Sequence, residues 1–341
     1  MPGNPTVIFP EAQKAVIEDL EIPVPAAGEL LIRTRKTLIS TGTEVTIYSG
    51  KFPQGSAWAR YGRFPFKPSY SNAGVVVEVG VGVDPSWKGK RVANTGKHAA
   101  YVTLPATITD KARVFEIPAS VSDEVATFHH LAANTVMNGV RRGQIQWGHC
   151  VIVYGLGILG QLAVRFAASS GARPVIAVDV AEPRLELLPR SPHIVPVNPA
   201  RQDLAKIVAE ATQGRKADLI YEVTGNPDLI PREFEHLTFA GTFVVLSSPR
   251  GPTSFDFHDL CNAPSFTIIG AHGKSCPEVE TPSNPWTKTR NGELLFRLLD
   301  TGELDLKPLI SHREPCAKAP EMFAMLLEDR SRAMGVVLDW A

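Results

Sequence analysis

Three glycines at fixed spacing are the first sign of chemistry in this chain. Gly155, Gly157 and Gly160 form a G-x-G-x-x-G pattern between the apolar, β-branched run 151–154 and a helical pattern over 158–170. In a strand–turn–helix unit, such glycines permit a tight turn, close backbone approach to a pyrophosphate, and close helix–strand packing. The free N–H groups and positive dipole end of the helix favour that anion. The predicted dinucleotide contacts are Gly155, Leu156, Gly157, Ile158, Leu159 and Gly160.

An acidic residue after the next strand indicates which dinucleotide is bound. The apolar strand 175–178 ends in Asp179, close to the roughly 20-residue offset at which an acid meets the adenosine ribose. A carboxylate there binds both ribose hydroxyls and repels a 2′-phosphate, so NAD is favoured over NADP. Arg184 follows within a turn and is a candidate for covering the adenine or its phosphate. The alternative is a structural βαβ unit with a chance glycine turn.

The elements that must position these residues differ between the two parts of the chain. Up to about residue 118, short apolar runs broken by Gly and Pro indicate many short strands and a partly open β-barrel. From Ser122, an N-cap and two acidic residues predict a helix through Val140. Strands then alternate with helices, which predicts a doubly wound parallel sheet of about six strands. The predicted strands are 150–154, 175–178, 194–197, 219–222, 242–246 and 267–269.

The composition is that of a globular chain with room for two domains. It has 341 residues, of which 44% are hydrophobic and 21% charged. The formal net charge is zero, so no nucleic-acid partner is predicted. No apolar run is long enough to span a membrane, and a basic-then-apolar signal is missing. The scattered cysteines are predicted to be free thiols in a cytoplasmic protein.

Several short motifs together resemble one enzyme superfamily over nearly the full length. They are Gly42-Thr43-Glu44, the glycine fingerprint, and the segments 74–80, 89–93, 221–225, 299–304 and 309–312. With a β domain, a nucleotide domain and a short returning βα tail, the chain resembles the medium-chain dehydrogenases/reductases, relatives of alcohol, sorbitol and threonine dehydrogenases. The resemblance implies an α/β fold: a GroES-like partly open β-barrel (1–121 and 276–341) and a Rossmann nucleotide domain (122–275). It also implies an active site in the cleft between domains and a homodimer or homotetramer.

The resemblance also marks where a catalytic zinc would be held, and there the chain departs from the pattern. Zinc-dependent members use a Cys in a C-G-T-D-like segment, a His in a G-H-E segment, and a later Cys or Glu. Here Thr41 stands at the Cys position, Tyr70 at the His position and Ser71 at the Glu position. The cysteines of the structural-zinc lobe are missing too. Because such oxygens suit a borderline-soft cation poorly, we predict no zinc.

Without zinc, side chains must handle the alcohol proton or stabilise an oxyanion during hydride transfer. Thr43 matches the hydroxyl that relays the proton in the zinc-dependent relatives. Tyr70 is a candidate proton donor or acceptor, or a filler of the empty zinc space. Glu44 is a candidate base or orienter, and the alternative is a structural salt bridge to an arginine. Lys67 and Lys97 could lower a phenol pKa if they lie close to it.

Two adjacent histidines lie in the predicted helix 122–140. Neighbours on a helix point about 100° apart, so at most one of His129 and His130 faces the site. His130 is a candidate proton shuttle near neutral pH, and the alternative is a polar helix end or a domain-interface histidine. His98 heads a strand and is predicted to be structural.

Further contacts complete the predicted site. The predicted contacts to the nicotinamide half of the cofactor are Thr135, Thr224, Gly225, Ser247 and Ser248. The aromatic, basic loop 52–66 is predicted to form one wall of the substrate site or a subunit contact. Arg290 is a candidate for binding a pyrophosphate or an anionic substrate, or is an exposed surface charge. The predicted substrate contacts are Thr41, Trp58, Tyr61 and Arg290.

We therefore expect a zinc-independent, NAD(H)-dependent oxidoreductase that transfers hydride between nicotinamide and a secondary alcohol or ketone. The expected substrate is a small molecule: a polyol, cyclitol, sugar or secondary-metabolite intermediate of a biosynthetic route. The alternative is an NAD(P)H-dependent enone or quinone reductase, which adds hydride to a C=C bond. Such relatives usually prefer NADPH, which Asp179 disfavours. A third possibility is a non-enzymatic protein that senses a dinucleotide.

Overall fold

The computed structural model describes residues 3–106 and 114–340, apart from the side chain of Arg332. The chain divides into two compact units, residues 1–134 with 277–341 and residues 135–276. The second boundary lies beside the predicted one, but the first lies past Ser122, where the sequence analysis placed it. Ion pairs explain the difference, because Asp123 binds Arg91 at 2.7 Å and Arg35 at 3.2 Å. Both arginines belong to the first unit, so residues 123–134 stay with it.

The elements alternate along the chain as follows. The strands are β1 (Asn4–Glu11), β2 (Lys14–Leu20), β3 (Glu29–Ile39), β4 (Asn72–Val79), β5 (Arg91–Asn94), β6 (Tyr101–Pro105), β7 (Val114–Glu116), β8 (Val151–Tyr154), β9 (Val175–Val178), β10 (Ile194–Val197), β11 (Ala217–Glu222), β12 (Leu237–Val245), β13 (Thr267–Gly270), β14 (Ile310–Pro315) and β15 (Gly335–Asp339). The α-helices are α1 (Thr43–Ser49), α2 (Ala57–Tyr61), α3 (Asp123–Ala126), α4 (Asn138–Arg142), α5 (Ile158–Ser169), α6 (Glu182–Leu185), α7 (Leu204–Thr212), α8 (Ile230–Glu233), α9 (Lys288–Asp300) and α10 (Ala319–Glu328). Two π-helices cover His130–Met137 and His258–Asn262. Short 3-10 helices cover Pro85–Trp87, Phe234–His236, Gly273–Ser275, Lys307–Leu309, Cys316–Lys318 and Arg330–Arg332. In the described residues, no helix combines the length and the apolar character needed to cross a membrane.

The second unit is built on a six-stranded parallel sheet. Its strand order is β10-β9-β8-β11-β12-β13, and every neighbouring pair is parallel. The central strands β8 and β9 are buried along their whole length, as their continuous apolar runs require when helices cover both faces. Ile152, Ile176 and Phe243 lie in its core. The predicted doubly wound fold is confirmed, with strand bounds within a few residues except for the longer β12.

The first unit holds a mixed seven-stranded sheet and a separate hairpin. The strand order is β14-β15-β3-β4-β5-β7, with β6 also paired to β3, and β1 pairs with β2. The strand β3 pairs antiparallel with β4, β6 and β15, so it joins the early strands to the returning tail. Its core includes an apolar cluster around Phe9, Ile39 and Phe323 and another around Leu30, Ile32 and Val92.

The predicted helix from Ser122 to Val140 is wrong as a single element. The Ser122 side chain caps α3 by accepting from the Val125 N–H, as the N-cap signal predicts. The α-helix stops at Ala126, however, and residues 130–137 form a π-helix before α4 begins. A π-helix shifts the side-chain register, and such segments are frequent at functional sites. The two histidines lie at its start.

Candidate functional site

The glycine turn of the second unit has the geometry that the fingerprint requires. Gly155 has a φ of 87°, in the region that only glycine adopts readily. A Cβ built on Gly160 would lie 1.8 Å from the Gly155 carbonyl oxygen, so the first turn of α5 packs directly on the loop. A Cβ built on Gly157 would meet no described atom within 4 Å. Gly157 caps α5, and this open space at the helix N-terminus suits a pyrophosphate.

Asp179 ties the glycine turn to the end of β9. Its carboxylate is 8% exposed and accepts hydrogen bonds from the Leu156 N–H at 2.7 Å and the Ala181 N–H at 2.9 Å. The Arg184 guanidinium lies 3.4 Å away. The acid therefore lies where the fingerprint predicts it, and part of its acceptor capacity holds the loop in place.

Glu222, at the end of β11, organises the loops that follow β11 and β12. It is fully buried, and one carboxylate oxygen accepts from the Thr224 hydroxyl at 2.6 Å and the Gly225 N–H at 2.8 Å. The other oxygen accepts from the Ser247 hydroxyl. Thr224, Gly225 and Ser247 were predicted to contact the cofactor, and the structure brings them together through this carboxylate. Sequence reasoning missed Glu222, although an acid one residue before the V-T-G turn was a usable signal.

A second buried acid, Glu233 of α8, lies near Glu222 but lacks, among the described residues, the hydrogen-bond donors that Glu222 has. Both Glu233 oxygens are buried and accept no hydrogen bond from the described residues. Burial raises the pKa of the Glu233 carboxyl to about 9, and the Glu222 charge adds to the rise. Glu233 is therefore protonated at neutral pH and adds no second charge beneath the cofactor loops.

In the first unit, three hydroxyl groups meet at the positions flanking α1. The Tyr70 phenol donates to the Ser40 hydroxyl at 2.6 Å. Burial and the negative charge of Glu44 raise the pKa of Tyr70, and hydrogen bonds to Ser40 and Thr43 lower it by less. Tyr70 is therefore a protonated donor at neutral pH. The prediction that Lys67 or Lys97 lowers this pKa is wrong, since neither lysine contributes and burial dominates.

Glu44 belongs to a buried chain of hydrogen bonds that sequence reasoning did not find. One of its oxygens lies 3.0 Å from His98 Nε2, and His98 Nδ1 lies 2.7 Å from the Thr37 hydroxyl. The Trp340 indole N–H donates to the same hydroxyl at 2.9 Å. The partner of Glu44 is thus a histidine, and the salt bridge to an arginine is wrong. Because Trp340 occupies one acceptor site of Thr37, its hydroxyl proton can be donated to Nδ1, leaving Nε2–H to donate to Glu44.

Although Glu44 binds His98, one of its carboxylate oxygens is still able to accept hydrogen bonds. Its side chain is 1% exposed, and its second carboxylate oxygen has no hydrogen-bond partner in the part of the chain that the structure describes. The same charge raises the pKa of both Tyr61 and Tyr70, so its field reaches both phenols. A buried oxygen without a donor is costly, which makes it a candidate acceptor for a ligand or water.

The two neighbouring histidines point to different surroundings. The His130 ring lies 4.9 Å from the Tyr70 ring, whereas the buried His129 ring lies 6.0 Å from Phe115. Only His130 therefore joins the hydroxyl cluster, as expected for adjacent residues on a helix.

Comparisons with known proteins agree with this arrangement. Residues 159–287 match the family model described as zinc-binding dehydrogenase. An L-threonine 3-dehydrogenase from Pyrococcus abyssi is 29% identical over 336 residues, covering 89% of this chain and 88% of that protein. The crystal structure of an Escherichia coli oxidoreductase/dehydrogenase of unknown specificity has a TM-score of 0.82 at 19% identity, covering 99% of both chains. The structure of 2R,3R-butanediol dehydrogenase from Bacillus subtilis has a TM-score of 0.78 at 19% identity, covering 98% of this chain and 99% of that one.

The chain belongs to the medium-chain dehydrogenase/reductase superfamily. The fingerprint and the flanking motifs predicted this membership, which is confirmed. As a member it is a nicotinamide-dependent oxidoreductase. Likeness to the solved structures, all at low identity, supports the fold alone.

The residues at the zinc positions of this superfamily do not fit a zinc ion here. Tyr70 uses its phenol proton on Ser40, and the Ser71 hydroxyl is buried without a partner among the described residues. Glu44 and His98 bind each other. Within residues 3–106 and 114–340, no group of three His, Cys, Asp or Glu side chains could hold a metal ion. All four cysteines are free thiols.

The remaining predicted site residues do not share one hydrogen-bond network. Thr41 and Thr43 are half-buried around the N-terminus of α1, and Thr135 is half-buried in the π-helix. Trp58 packs against the core cluster around Phe9, while Tyr61 is 51% exposed and lies edge-on to Phe66. Arg290 stacks on Trp286 at 4.4 Å and donates to the Pro285 carbonyl. Ser248 is exposed. Trp58 and Arg290 therefore have local packing roles in the first unit.

Proposed function

We propose that this protein is a zinc-independent, NAD(H)-dependent oxidoreductase that transfers hydride between nicotinamide and a secondary alcohol or ketone. The observation that carries the proposal is the protonated Tyr70 phenol, held 2.6 Å from Ser40 at a position where relatives would place a zinc ligand. A neutral phenol can provide, through Ser40, the hydrogen bond and the proton for the developing alkoxide, whose charge a metal ion would otherwise stabilise.

The proton step follows from the hydroxyl cluster. When hydride reaches a ketone carbon, negative charge develops on the carbonyl oxygen and must be met by a hydrogen-bond donor. Ser40 accepts from Tyr70, and its own hydroxyl proton has no acceptor among the described residues. Ser40 can therefore donate to the substrate oxygen while Tyr70 donates to Ser40. In the oxidation direction the alcohol gives its proton to Ser40, Ser40 gives its own hydroxyl proton to Tyr70, and Tyr70 passes its phenol proton on to His130.

Glu44 and His98 have a supporting role in this proposal. The Glu44 charge disfavours a tyrosinate, which keeps Tyr70 in its donor form. His98 holds one Glu44 oxygen, and the rest of the chain to Thr37 and Trp340 holds His98. His130, beside the Tyr70 ring, is proposed to exchange the proton with solvent.

The preference for NAD over NADP is proposed from Asp179. A carboxylate at the end of β9 would meet a 2′-phosphate with like-charge repulsion. Arg184, 3.4 Å from Asp179, is already engaged by that charge. Both features favour a ribose with free hydroxyls.

The names of two relatives support the secondary alcohol. L-threonine 3-dehydrogenase and 2R,3R-butanediol dehydrogenase are named for substrates whose reacting hydroxyl is secondary. We propose the same reaction type on a polyol, cyclitol, sugar or secondary-metabolite intermediate.

The test is cofactor turnover with a panel of secondary alcohols and ketones, with and without a strong chelator. We expect NAD reduction or NADH oxidation that survives chelation and protein that contains no stoichiometric zinc by elemental analysis. Loss of turnover on chelation, restored by zinc, would refute the metal-free step. Turnover only with enones would replace the reaction by C=C reduction.

We also propose that the protein is a homodimer or homotetramer. The strand β13 forms an edge of the parallel sheet, and three of its four residues are exposed. An exposed strand edge offers unpaired N–H and C=O groups to a second copy. Light scattering coupled to size-exclusion chromatography would measure the mass, and a monomer at micromolar concentration would disprove this assembly.

A further inference from the structure

The segment Ser248–Gly251 follows β12 at the carboxyl edge of the parallel sheet. Ligands of open α/β sheets bind outside this edge. The segment has the sequence Ser-Pro-Arg-Gly and is followed by Pro252. Neither the glycine fingerprint nor the hydroxyl cluster of the first unit includes it, and sequence reasoning selected only Ser248.

Arg250 is a half-buried cation without an acid bound to it. In the part of the chain that the structure describes, no carboxylate lies within 4.0 Å of its guanidinium, and no acceptor receives its N–H groups. The guanidinium lies over Gly225, where a built Cβ would be 3.7 Å from Nη2. Burial lowers the pKa of Arg250 and the Glu222 charge raises it, but an arginine stays protonated at neutral pH.

The backbone of the same segment adds further donors. The N–H groups of Ser248, Arg250 and Gly251 donate to no described residue, and neither does the exposed Ser248 hydroxyl. Pro249 has no N–H group to give. The four residues Ser248–Gly251 thus present three backbone donors, a hydroxyl and a guanidinium, with no acidic side chain among them.

The buried Glu222 network fixes this edge of the sheet. Glu222 uses both oxygens on Thr224, Gly225 and Ser247, so its charge is met by three donors and does not form an ion pair with Arg250. Ser247 is thereby anchored one residue before the segment, and Gly225 is anchored beneath the guanidinium. The unused donors therefore lie on a rigid part of the sheet, so little conformational freedom would be lost when they bind a ligand.

We propose that the segment Ser248–Gly251 binds an anionic group of the substrate, a carboxylate or a phosphate monoester. A planar guanidinium matches either group through two parallel N–H donors, and the backbone N–H groups would complete the contact. This inference rests on the proposed function and narrows it. The substrate is then an anionic hydroxy or keto compound rather than a neutral polyol.

The first experiment measures anion binding at equilibrium and needs no turnover. Inorganic phosphate is titrated at low ionic strength into the full-length protein saturated with NADH, and the affinity is read by calorimetry. Arg250→Gln should weaken phosphate binding roughly tenfold or more, because it removes a charge-assisted contact. The matched control is Arg215→Gln, since Arg215 is exposed just before β11, at the opposite edge of the sheet. It should leave phosphate binding unchanged.

The same variants show whether Arg250 binds an anionic group of the substrate or the phosphates of the cofactor. NADH affinity, measured by fluorescence, should agree within about twofold between Arg250→Gln and wild type. A large loss of NADH affinity in Arg250→Gln would mean that the segment serves the cofactor phosphates and would overturn the proposal. Phosphate binding that is undetectable in wild type, or equal in the variant, would overturn it as well.

A second experiment compares matched substrates. Each pair contains an anionic compound and its neutral form: a polyol phosphate with the free polyol, and a hydroxy acid with its methyl ester. Arg250→Gln should raise KM for the anionic member at least tenfold and leave the neutral member unchanged, and Arg250→Lys should recover part of the loss. Equal effects on both members would contradict the inference. If no member of any pair is turned over while phosphate still binds through Arg250, the proposed function fails and the anion site stands.

Discussion

Two buried glutamates, one in each unit, show how differently the two parts of this enzyme are built. Glu222 is fully buried, and three donors from two loops satisfy its carboxylate. Glu44 is equally buried, but one of its oxygens binds His98 and the other has no partner among the described residues. A satisfied carboxylate rigidifies its surroundings, whereas an unsatisfied one keeps capacity for a ligand. We infer that Glu222 supports a site and that Glu44 takes part in one.

The difference extends to the motifs around each glutamate. In the second unit, the glycine turn and Asp179 follow the superfamily pattern, because their role depends on backbone geometry. In the first unit, Thr41, Tyr70 and Ser71 stand where the resemblance would place metal ligands, so the motif does not carry over there. The cofactor half of such an enzyme is therefore recognisable from its motif, and the catalytic half must be reconstructed from contacts.

Breaking the close contact between α5 and the glycine turn should have the largest effect on the cofactor half. Gly160→Ala places a Cβ 1.8 Å from the Gly155 carbonyl oxygen, so the loop and α5 must separate. We expect a loss of about 2–4 kcal/mol in unfolding free energy and a loss of NADH binding. Gly157→Ala is the matched control, because its Cβ meets no described atom. It should keep the melting temperature and weaken only NADH binding. Equal melting temperatures for both variants would disprove the steric argument.

The next largest effect is expected at the hydroxyl cluster. Tyr70→Phe removes the donor that binds Ser40 and should lower kcat by about 10²–10⁴-fold, the usual range for a lost general acid. Thermal unfolding should change little. Tyr101→Phe is the control, since the Tyr101 hydroxyl bonds to no described residue. Activity retained within a few-fold in Tyr70→Phe would reduce Tyr70 to a space filler.

Replacing each glutamate by glutamine tests the comparison directly. Both Glu222 oxygens accept hydrogen bonds, so in Glu222→Gln the amide NH₂ group meets a donor where an acceptor is needed. We expect the free energy of unfolding to fall by about 1–3 kcal/mol and NADH binding to weaken. Glu44→Gln should cost less stability, because the amide oxygen can still accept from His98. It should shift the pH profile of kcat, since the Tyr70 phenol loses a neighbouring charge. The roles are wrongly assigned if Glu44→Gln proves the less stable of the two.

A smaller change is expected in cofactor choice. Asp179→Ser removes the charge that would repel a 2′-phosphate, so kcat/KM for NADP should rise by about tenfold, as a change of about 1.4 kcal/mol gives. The variant also loses acceptors for the Leu156 and Ala181 N–H groups, so its stability must be measured alongside. An unchanged ratio of NAD to NADP use in a folded variant would contradict the ribose assignment.

A separate test concerns the pH dependence of stability at Glu233. The folded-state pKa is about 9, above the ordinary value of 4.5, so the folded protein holds a proton that the unfolded chain releases. The free energy of unfolding should therefore fall as pH rises from 4.5 to 9. Glu233→Gln should flatten this slope in thermal melts across pH, while Glu235→Gln, an exposed neighbour, should not. A slope unchanged in Glu233→Gln would show that the buried acid is not its cause.

The sequence by itself determined the parallel sheet, the glycine turn and the place of Asp179. These follow from local signals: continuous apolar runs for buried strands, glycines at fixed spacing, and an acid at a strand end. It also predicted that the zinc ligands are missing, because residue identity at a motif position is read directly. It erred over the helix from Ser122 to Val140, since local capping signals do not reveal an internal change to π-helical hydrogen bonding.

Only the tertiary structure decided the partners of the buried charges. Glu44 meets His98 across 54 residues of chain, and Ser247 reaches Glu222 across 25. The hydrogen bond from Trp340 to Thr37 joins residues that are 303 positions apart in the sequence. No sequence period links such positions, because strand pairing across the sheets brings them together. Whether an ionisable side chain is satisfied, neutral or available for chemistry depends on those distant neighbours, and so it became visible only in the fold.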